Sequence, residues 1–106
     1  MLLGDFNNIT CLHEKWGGNQ SVSTYMTNFV NFLNNASLIS LQASGVPFTW
    51  INKHRDDILI FERLDRVVAN SFWLELHPNY SLHNYPILRS GHSPLFLDTV
   101  GPQVRQ

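Results

Sequence analysis

A single strong helical pattern stands among several short strand-like segments, and this imbalance limits how the chain can fold. In residues 24–34 the apolar side chains recur at spacings of three and four, which is typical of an amphipathic helix. Ser21 or Ser23 can cap its first amides. Because one helix cannot cover several strands, we expect exposed sheet that a partner chain or self-association covers.

Short strands and turns account for most of the remaining sequence. The first strand ends sharply at Gly4-Asp5. Further strands, the last of them buried, are predicted at residues 38–42, 48–52, 57–61 or 62–69, 80–85 and 94–100. Residues 6–23 are expected to form a long polar loop, residues 53–57 a polar hairpin, and residues 70–76 a short helix with Asn70 as its N-cap. This order favours an α+β fold, in the form of a layered α/β sandwich.

The composition is that of one small folded domain. The chain has 106 residues, of which 43% are hydrophobic and 12% aromatic. Its net charge of −1 gives no overall basic field that would attract nucleic acid, so any such contact must come from a local site. Cys11 is the only cysteine, and neither a signal peptide nor an apolar stretch of membrane-spanning length is found. We therefore expect an intracellular protein with no membrane partner.

Asp5 and Asn7 are the first residues suited to chemistry. Asp5 follows Gly4 at the tip of the first strand, and Asn7 lies two residues later on the same side. In a cleft, the carboxylate can accept a proton from water and the amide can hydrogen-bond a phosphate oxygen. The same spacing fits an Asx-turn in which both side chains cap backbone amides, and spacing alone favours this simpler role.

Asp65 and His92 are two further candidates. Asp65 lies among apolar residues of a predicted strand, where a carboxylate needs a partner. The adjacent Arg63 and Arg66 offer a structural ion pair, which the sequence alone favours, whereas a histidine partner would indicate catalysis because a carboxylate raises imidazole basicity. His92 is accessible because small residues surround it at a strand start. The five histidines and Cys11 show no metal-binding spacing, so neither a zinc site nor any metal ligand is predicted.

Five motifs follow one another along the chain: GDFN at 4–7, the amphipathic helix, GVPFTWIN at 45–52, ERLDRVVAN at 62–70 and SGHSPL at 90–95. In this order they resemble the C-terminal half of the endonuclease/exonuclease/phosphatase superfamily, and most of all the endonuclease domains of plant LINE-type (non-LTR) retrotransposons. The likeness runs from Leu3 to about Leu97, within a partial domain placed at residues 1–100 and followed by a C-terminal tail at 101–106. It implies a truncated half of the DNase I-like four-layer sandwich, hydrolysis of phosphodiesters, DNA as substrate, Mg²⁺ as cofactor and the nucleus as location.

The resemblance also implies a catalytic role for each of four residues. Asp5 would orient or deprotonate the attacking water, and Asn7 would hold that water and the phosphate. His92 would stabilise charge on the phosphate or transfer a proton, with Asp65 supporting it.

Substrate contacts are implied for two neighbouring residues, Thr49 and Trp50, at the substrate-facing rim. For Trp50 the simpler interpretation is packing in the core. An aromatic ring beside a polar cleft can also stack on a base or a sugar.

Two departures from the family pattern weaken the expected catalysis. The N-terminal half, with its principal metal-ligating glutamate, is not in the sequence, and Gly91 stands where the family has the aspartate of a Ser-Asp-His motif. Because Mg²⁺ prefers anionic oxygen ligands, we expect weak Mg²⁺ binding and impaired catalysis. The alternatives are a non-catalytic remnant or binding module that keeps the fold, and an unrelated small α+β binding domain.

Overall fold

The computed structural model describes residues 1–18, 20–52 and 59–100, which form nine strands, two α-helices and one short 3-10 helix. The strands are β1 (Leu2–Asp5), β2 (Lys15–Trp16), β3 (Ile39–Ser40), β4 (Ser44–Gly45), β5 (Trp50–Ile51), β6 (Phe61–Glu62), β7 (Asp65–Ala69), β8 (Ser81–Asn84) and β9 (Leu95–Asp98). The helices are α1 (Thr24–Asn35) and α2 (Ser71–Leu76), and the 3-10 helix spans Leu12–Glu14. This mixture confirms the predicted α+β class.

The described strands are arranged in three small sheets of three strands each. The first is antiparallel with the order β1-β7-β3, and the second is antiparallel with the order β2-β6-β5. In the third, β8 pairs in parallel with β4 and antiparallel with β9. The register of the first sheet places Asp5, the last residue of β1, directly opposite Asp65, the first residue of β7. Strand pairing alone therefore brings two of the candidate site residues together.

Helix α1 forms as the sequence predicts and covers one face of the first sheet. Ser23 caps the helix, because its side chain accepts the backbone N–H of Met26. The apolar face of α1 buries Phe29 and Leu33 against Val68 of β7. Neither α1 nor α2, the helices of the described part of the chain, is long and apolar enough to cross a membrane.

Strand β7 is the centre of the core because both of its faces are covered. Val67 and Ala69 point away from α1, since side chains alternate along a strand, and they pack against Leu41 and Leu82. Helix α2 borders this cluster and begins where expected, with the side chain of Asn70 accepting the backbone N–H of its first turn. The buried β7 fixes the backbone from which Asp65 projects.

Two sequence-based expectations are corrected by the fold. The segment 6–23 is not a plain loop, because it contains the 3-10 helix and β2, and β2 forms by pairing with the distant β6. The last strand, β9, is not buried: it lies at the edge of its sheet, and Phe96 is 57% exposed. The predicted hairpin at 53–57 and the tail at 101–106 lie outside the described residues.

Candidate functional site

Three predicted site residues from distant parts of the sequence meet at one end of the first sheet. Asp5 ends β1, Asp65 begins β7, and His92 lies in the turn before β9. His92 Nδ1 is 2.9 Å from Asp65 Oδ2, and His92 Nε2 is 3.9 Å from Asp5 Oδ2. The imidazole therefore lies against two carboxylates that face each other across a strand pair.

The partner of Asp65 is the histidine and not an arginine. Arg63 and Arg66 both form ion pairs with Glu14, so the structural ion pair that the sequence alone favours is wrong. Asp65 instead accepts a hydrogen bond from His92 when Nδ1 carries the proton. A carboxylate on Nδ1 favours this tautomer and leaves the lone pair on Nε2, which is the arrangement required of a general base or a metal ligand.

Asp5 takes part in an Asx-turn and in the site at the same time. Its Oδ1 accepts the backbone N–H of Asn7 at 2.8 Å. Asn7 has a positive φ of 54°, a conformation that asparagine adopts more readily than most residues. Its side chain is exposed beside Asp5. Oδ1 of Asp5 thus caps a backbone amide, as the simpler interpretation predicts. Oδ2 of Asp5 is the oxygen that points towards His92.

Thr49 lies beneath the site and not on its rim. Its side chain is fully buried, and its Oγ1 accepts the backbone N–H groups of Leu64 and Asp65, both at 2.9 Å. The structure thus places Thr49 out of reach of a substrate, since it satisfies two interior amides. Trp50 is half-buried, and its backbone is paired with that of His92, which puts it beside the imidazole.

Gly91 shapes the turn that presents the imidazole. Its φ is 90°, in the region that favours glycine. The turn is closed by hydrogen bonds from the N–H of Gly91 to the carbonyl of Leu88 and from the N–H of Leu88 to the carbonyl of His92, each 2.9 Å long. The carbonyl of Gly91 also accepts the N–H of Ile51. The turn therefore has a defined backbone, but it supplies no carboxylate next to His92.

A cavity of about 430 Å³ opens beside Asn7. Lys15 and Glu62 of the second sheet line one side, and Tyr25 of α1 lines another. The Lys15 ammonium is 3.6 Å from the Glu62 carboxylate. Sequence analysis missed these residues, because Lys15 lay in a predicted loop and only the pairing of β2 with β6 brings it here.

The donors at the site do not match the cation that the resemblance implies. Mg²⁺ prefers oxygen ligands in near-octahedral geometry and is held by carboxylates and waters. Here three possible ligand atoms lie within 4.8 Å of one another. They are one carboxylate oxygen each from Asp5 and Asp65 and one imidazole nitrogen of His92. The Asp65 oxygen is already hydrogen-bonded to His92, so few anionic oxygens remain for Mg²⁺. The set does not fit Mg²⁺.

Comparison with known proteins identified no relative of this chain. No family model, no curated protein and no solved structure matches the chain. The chemistry of the site therefore follows from its own residues and from the motifs that carry them.

Proposed function

We propose that this chain is a phosphodiesterase-like domain of the endonuclease/exonuclease/phosphatase type that binds a DNA phosphodiester and hydrolyses it slowly. Its fold then corresponds to the C-terminal half of a DNase I-like sandwich, most like that of plant LINE-type retrotransposons. The observation that carries the proposal is the contact of His92 with Asp65 and Asp5, which the resemblance predicts for a catalytic site. The sequence motifs that place these residues support it.

The site has groups for each proton transfer in phosphodiester hydrolysis. A water between Asp5 Oδ2 and His92 Nε2, which are 3.9 Å apart, can hydrogen-bond to both. The water oxygen forms a bond to phosphorus as its proton passes to one of these groups, and the bond from phosphorus to the leaving oxygen breaks. The leaving oxygen then takes up a proton that the protonated Asp5 or His92 releases through solvent water, so the site returns to its starting state. Asn7, which is exposed two residues after Asp5, would donate a hydrogen bond to a phosphate oxygen, and Asp65 keeps the imidazole oriented.

The surroundings of the site favour a nucleotide chain over an isolated phosphate. The cavity beside Asn7 has a volume within the range of small-molecule sites, so it has room for a nucleoside attached to the reacting phosphate. The exposed Tyr25 ring offers a surface there on which a base can stack. Because the net charge is −1, binding should be weak and local.

Gly91 supports a second candidate function, that of a DNA-binding module without catalysis. It provides no charge at the position where the family has an aspartate, and the donors that are present do not fit Mg²⁺. Such a module would keep the imidazole and Asn7 for phosphate contact and lack the means to stabilise charge in the transition state. The two candidates differ in one observable, which is cleavage.

Nicking of supercoiled plasmid by the purified chain distinguishes the candidates. We expect slow nicking that needs no Mg²⁺ and that His92→Ala abolishes, and faster nicking by Gly91→Asp once Mg²⁺ is added. Gly91→Asn is the matched control, because asparagine also tolerates a positive φ but adds no charge. Equal nicking by the wild type and His92→Ala would overturn the phosphodiesterase proposal.

If no variant nicks the plasmid, DNA binding measured by NMR still distinguishes the two candidate functions. A DNA oligonucleotide should shift the imidazole NMR signals of His92 and leave those of His77, the residue that follows α2, unchanged. Binding without cleavage, in both the wild type and Gly91→Asp, favours the non-catalytic module. If DNA shifts neither histidine and nothing is cleaved, both candidate functions are wrong.

A further inference from the structure

The two carboxylates of the site are held together without an arginine or a lysine to neutralise them. Asp5 and Asp65 are direct partners in the register of β1 and β7, and like charges in such a pair destabilise a sheet. Within the described part of the chain, His92 is the only ion-pair partner that either carboxylate has. A cation placed between these groups would remove the repulsion.

The separation of two of the donor atoms is close to what a bound metal ion requires. His92 Nε2 and Asp5 Oδ2 are 3.9 Å apart, which is too long for a hydrogen bond. Two ligands that each lie about 2.0–2.2 Å from a zinc ion are roughly 3.4 Å apart at the tetrahedral angle. A movement of about half an ångström therefore converts this pair into two ligands of one ion. Their side chains are 37% and 35% exposed, which leaves room for water as further ligands.

Asp65 is positioned to orient the imidazole of His92 and does not bind the ion itself. Its hydrogen bond to His92 Nδ1 favours the tautomer in which Nε2 is free to coordinate. Metal-binding histidines usually have such a carboxylate or carbonyl on the other ring nitrogen. Thr49 fixes the Asp65 backbone from below, so this orientation is built into the core.

We propose that Asp5 and His92, with Asp65 orienting the imidazole, bind a divalent cation that accepts nitrogen ligands, such as Zn²⁺, in preference to Mg²⁺. Imidazole nitrogen suits Zn²⁺ and similar transition-metal ions, whereas Mg²⁺ requires oxygen. Short-range spacing of histidines and cysteine gave no sign of this site, because its residues come from three segments that only the fold brings together. The inference does not depend on phosphodiesterase activity.

Zinc binding to the full chain, measured by calorimetry without DNA, tests the inference. We expect one Zn²⁺ per chain that a large excess of Mg²⁺ does not displace. Asp65→Asn should weaken binding about 10–100-fold, the effect usually seen when the partner of a metal-bound histidine is lost. His92→Ala and Asp5→Asn should weaken it roughly 100-fold or more, because each removes a direct ligand.

Matched controls separate this site from adventitious zinc binding. His83→Ala removes a histidine that is hydrogen-bonded to Ser44 on the third sheet, and it should leave zinc affinity unchanged. In the wild type, zinc should shift the Nε2 resonance of His92, a result that does not depend on whether a variant folds. Unchanged affinity in His92→Ala and Asp5→Asn, no shift at Nε2, or displacement by a large excess of Mg²⁺ would overturn the proposal.

Discussion

Thr49 connects the segments that carry the two halves of the site. Its hydroxyl accepts the N–H groups of Leu64 and Asp65, and its carbonyl accepts the N–H of Ser93 at 2.8 Å. Ser93 follows His92 in the chain, so a single buried residue sets the backbone positions of both members of the Asp65–His92 pair. A side chain with no access to solvent therefore controls the geometry of an accessible imidazole.

Thr49→Val tests this dependence at the level of one oxygen atom. Valine has nearly the same shape, but it leaves two interior amides without an acceptor, each of which costs about 1–3 kcal/mol. We expect the free energy of unfolding in urea to fall by about 2–6 kcal/mol. Thr49→Ser keeps the hydroxyl and loses one methyl group, so its loss should be about 1 kcal/mol. Equal losses in the two variants would mean that packing, and not the hydroxyl, is what Thr49 contributes.

Local spacing identified the residues of the site better than their partners, whereas the family resemblance also paired Asp65 with His92. The motifs singled out Asp5, Asp65 and His92, and the fold brings all three together. Spacing alone favoured Arg63 or Arg66 as the partner of Asp65, because adjacent residues are the only neighbours that a sequence displays. The actual partner is 27 positions away, and its proximity depends on the turn at Gly91 and on strand pairing.

At the level of elements, a buried ion-pair cluster joins the segment before β2 to the first sheet. Arg66 of β7 has no exposed surface, and it forms two hydrogen bonds with the carboxylate of Glu14, at 2.8 and 3.2 Å. Arg63 adds a longer contact to the same carboxylate. The Arg66 guanidinium also lies 5.6 Å from the ring centre of Phe29 on α1. Glu14 and Arg66 together thus connect the 3-10 helix, β7 and α1.

The Glu14 carboxyl has a lowered pKa because of these partners. Burial by itself would raise the pKa of Glu14, but hydrogen bonds from Arg66 and from the Thr10 amide, together with the charge of Arg66, outweigh burial. Burial and the charge of Arg66 also lower the pKa of Arg63, which stays charged at neutral pH. The unfolded chain therefore binds a proton at Glu14 more readily than the folded chain does.

Acid should weaken the fold through this residue, and the sign follows from the lowered pKa. The contribution of Glu14 is fully present above its ordinary pKa of 4.5 and is lost as the pH falls below that value. We expect Glu14→Gln to be about 3 kcal/mol less stable at pH 7, because Arg66 then lacks a charged partner, and to lose less stability on acidification. Urea unfolding between pH 7 and pH 3 measures both effects.

Glu75→Gln, on the exposed face of α2, is the matched control for the acid experiment. Its stability should follow that of the wild type over the whole pH range. Parallel pH curves for the wild type and Glu14→Gln would show that the Glu14–Arg66 pair does not contribute to the acid sensitivity of the fold.

The sequence predicted the helices and strands that a local pattern determines. It did not predict those that form only by pairing with a distant segment. The caps at Ser23 and Asn70 and the apolar spacing of α1 lie within single turns, so the sequence was sufficient for both helices. The 3-10 helix and β2 inside the polar segment 6–23 depend on Glu14 meeting Arg66 and on Lys15 pairing with Glu62. Neither contact leaves a periodic signal in that segment.

At the scale of the whole molecule, the chain has too little helix to cover its sheets, as the sequence indicates. Apolar side chains of the sheets are therefore exposed. Strand β1 pairs only with β7 in the described part of the chain, so its other edge is open. Leu2 and Leu3 on that edge are 49% and 57% exposed. An open apolar edge is a template for pairing with another strand. Strand β1 is therefore one of the edges at which a covering partner is expected, as is β9 with its exposed Phe96.

We expect a second copy of the chain to pair along β1, since an edge strand can pair antiparallel with its own copy. Sedimentation velocity over a concentration series should show a monomer–dimer equilibrium. Leu2→Lys should weaken dimerisation at least about tenfold, or 1.4 kcal/mol, because a charge on an edge strand opposes pairing. Phe72→Lys is the matched control, as it places the same charge on an exposed apolar residue of α2 and should leave the equilibrium unchanged. A monomer at every concentration, or equal weakening by both variants, would show that β1 is not the association edge.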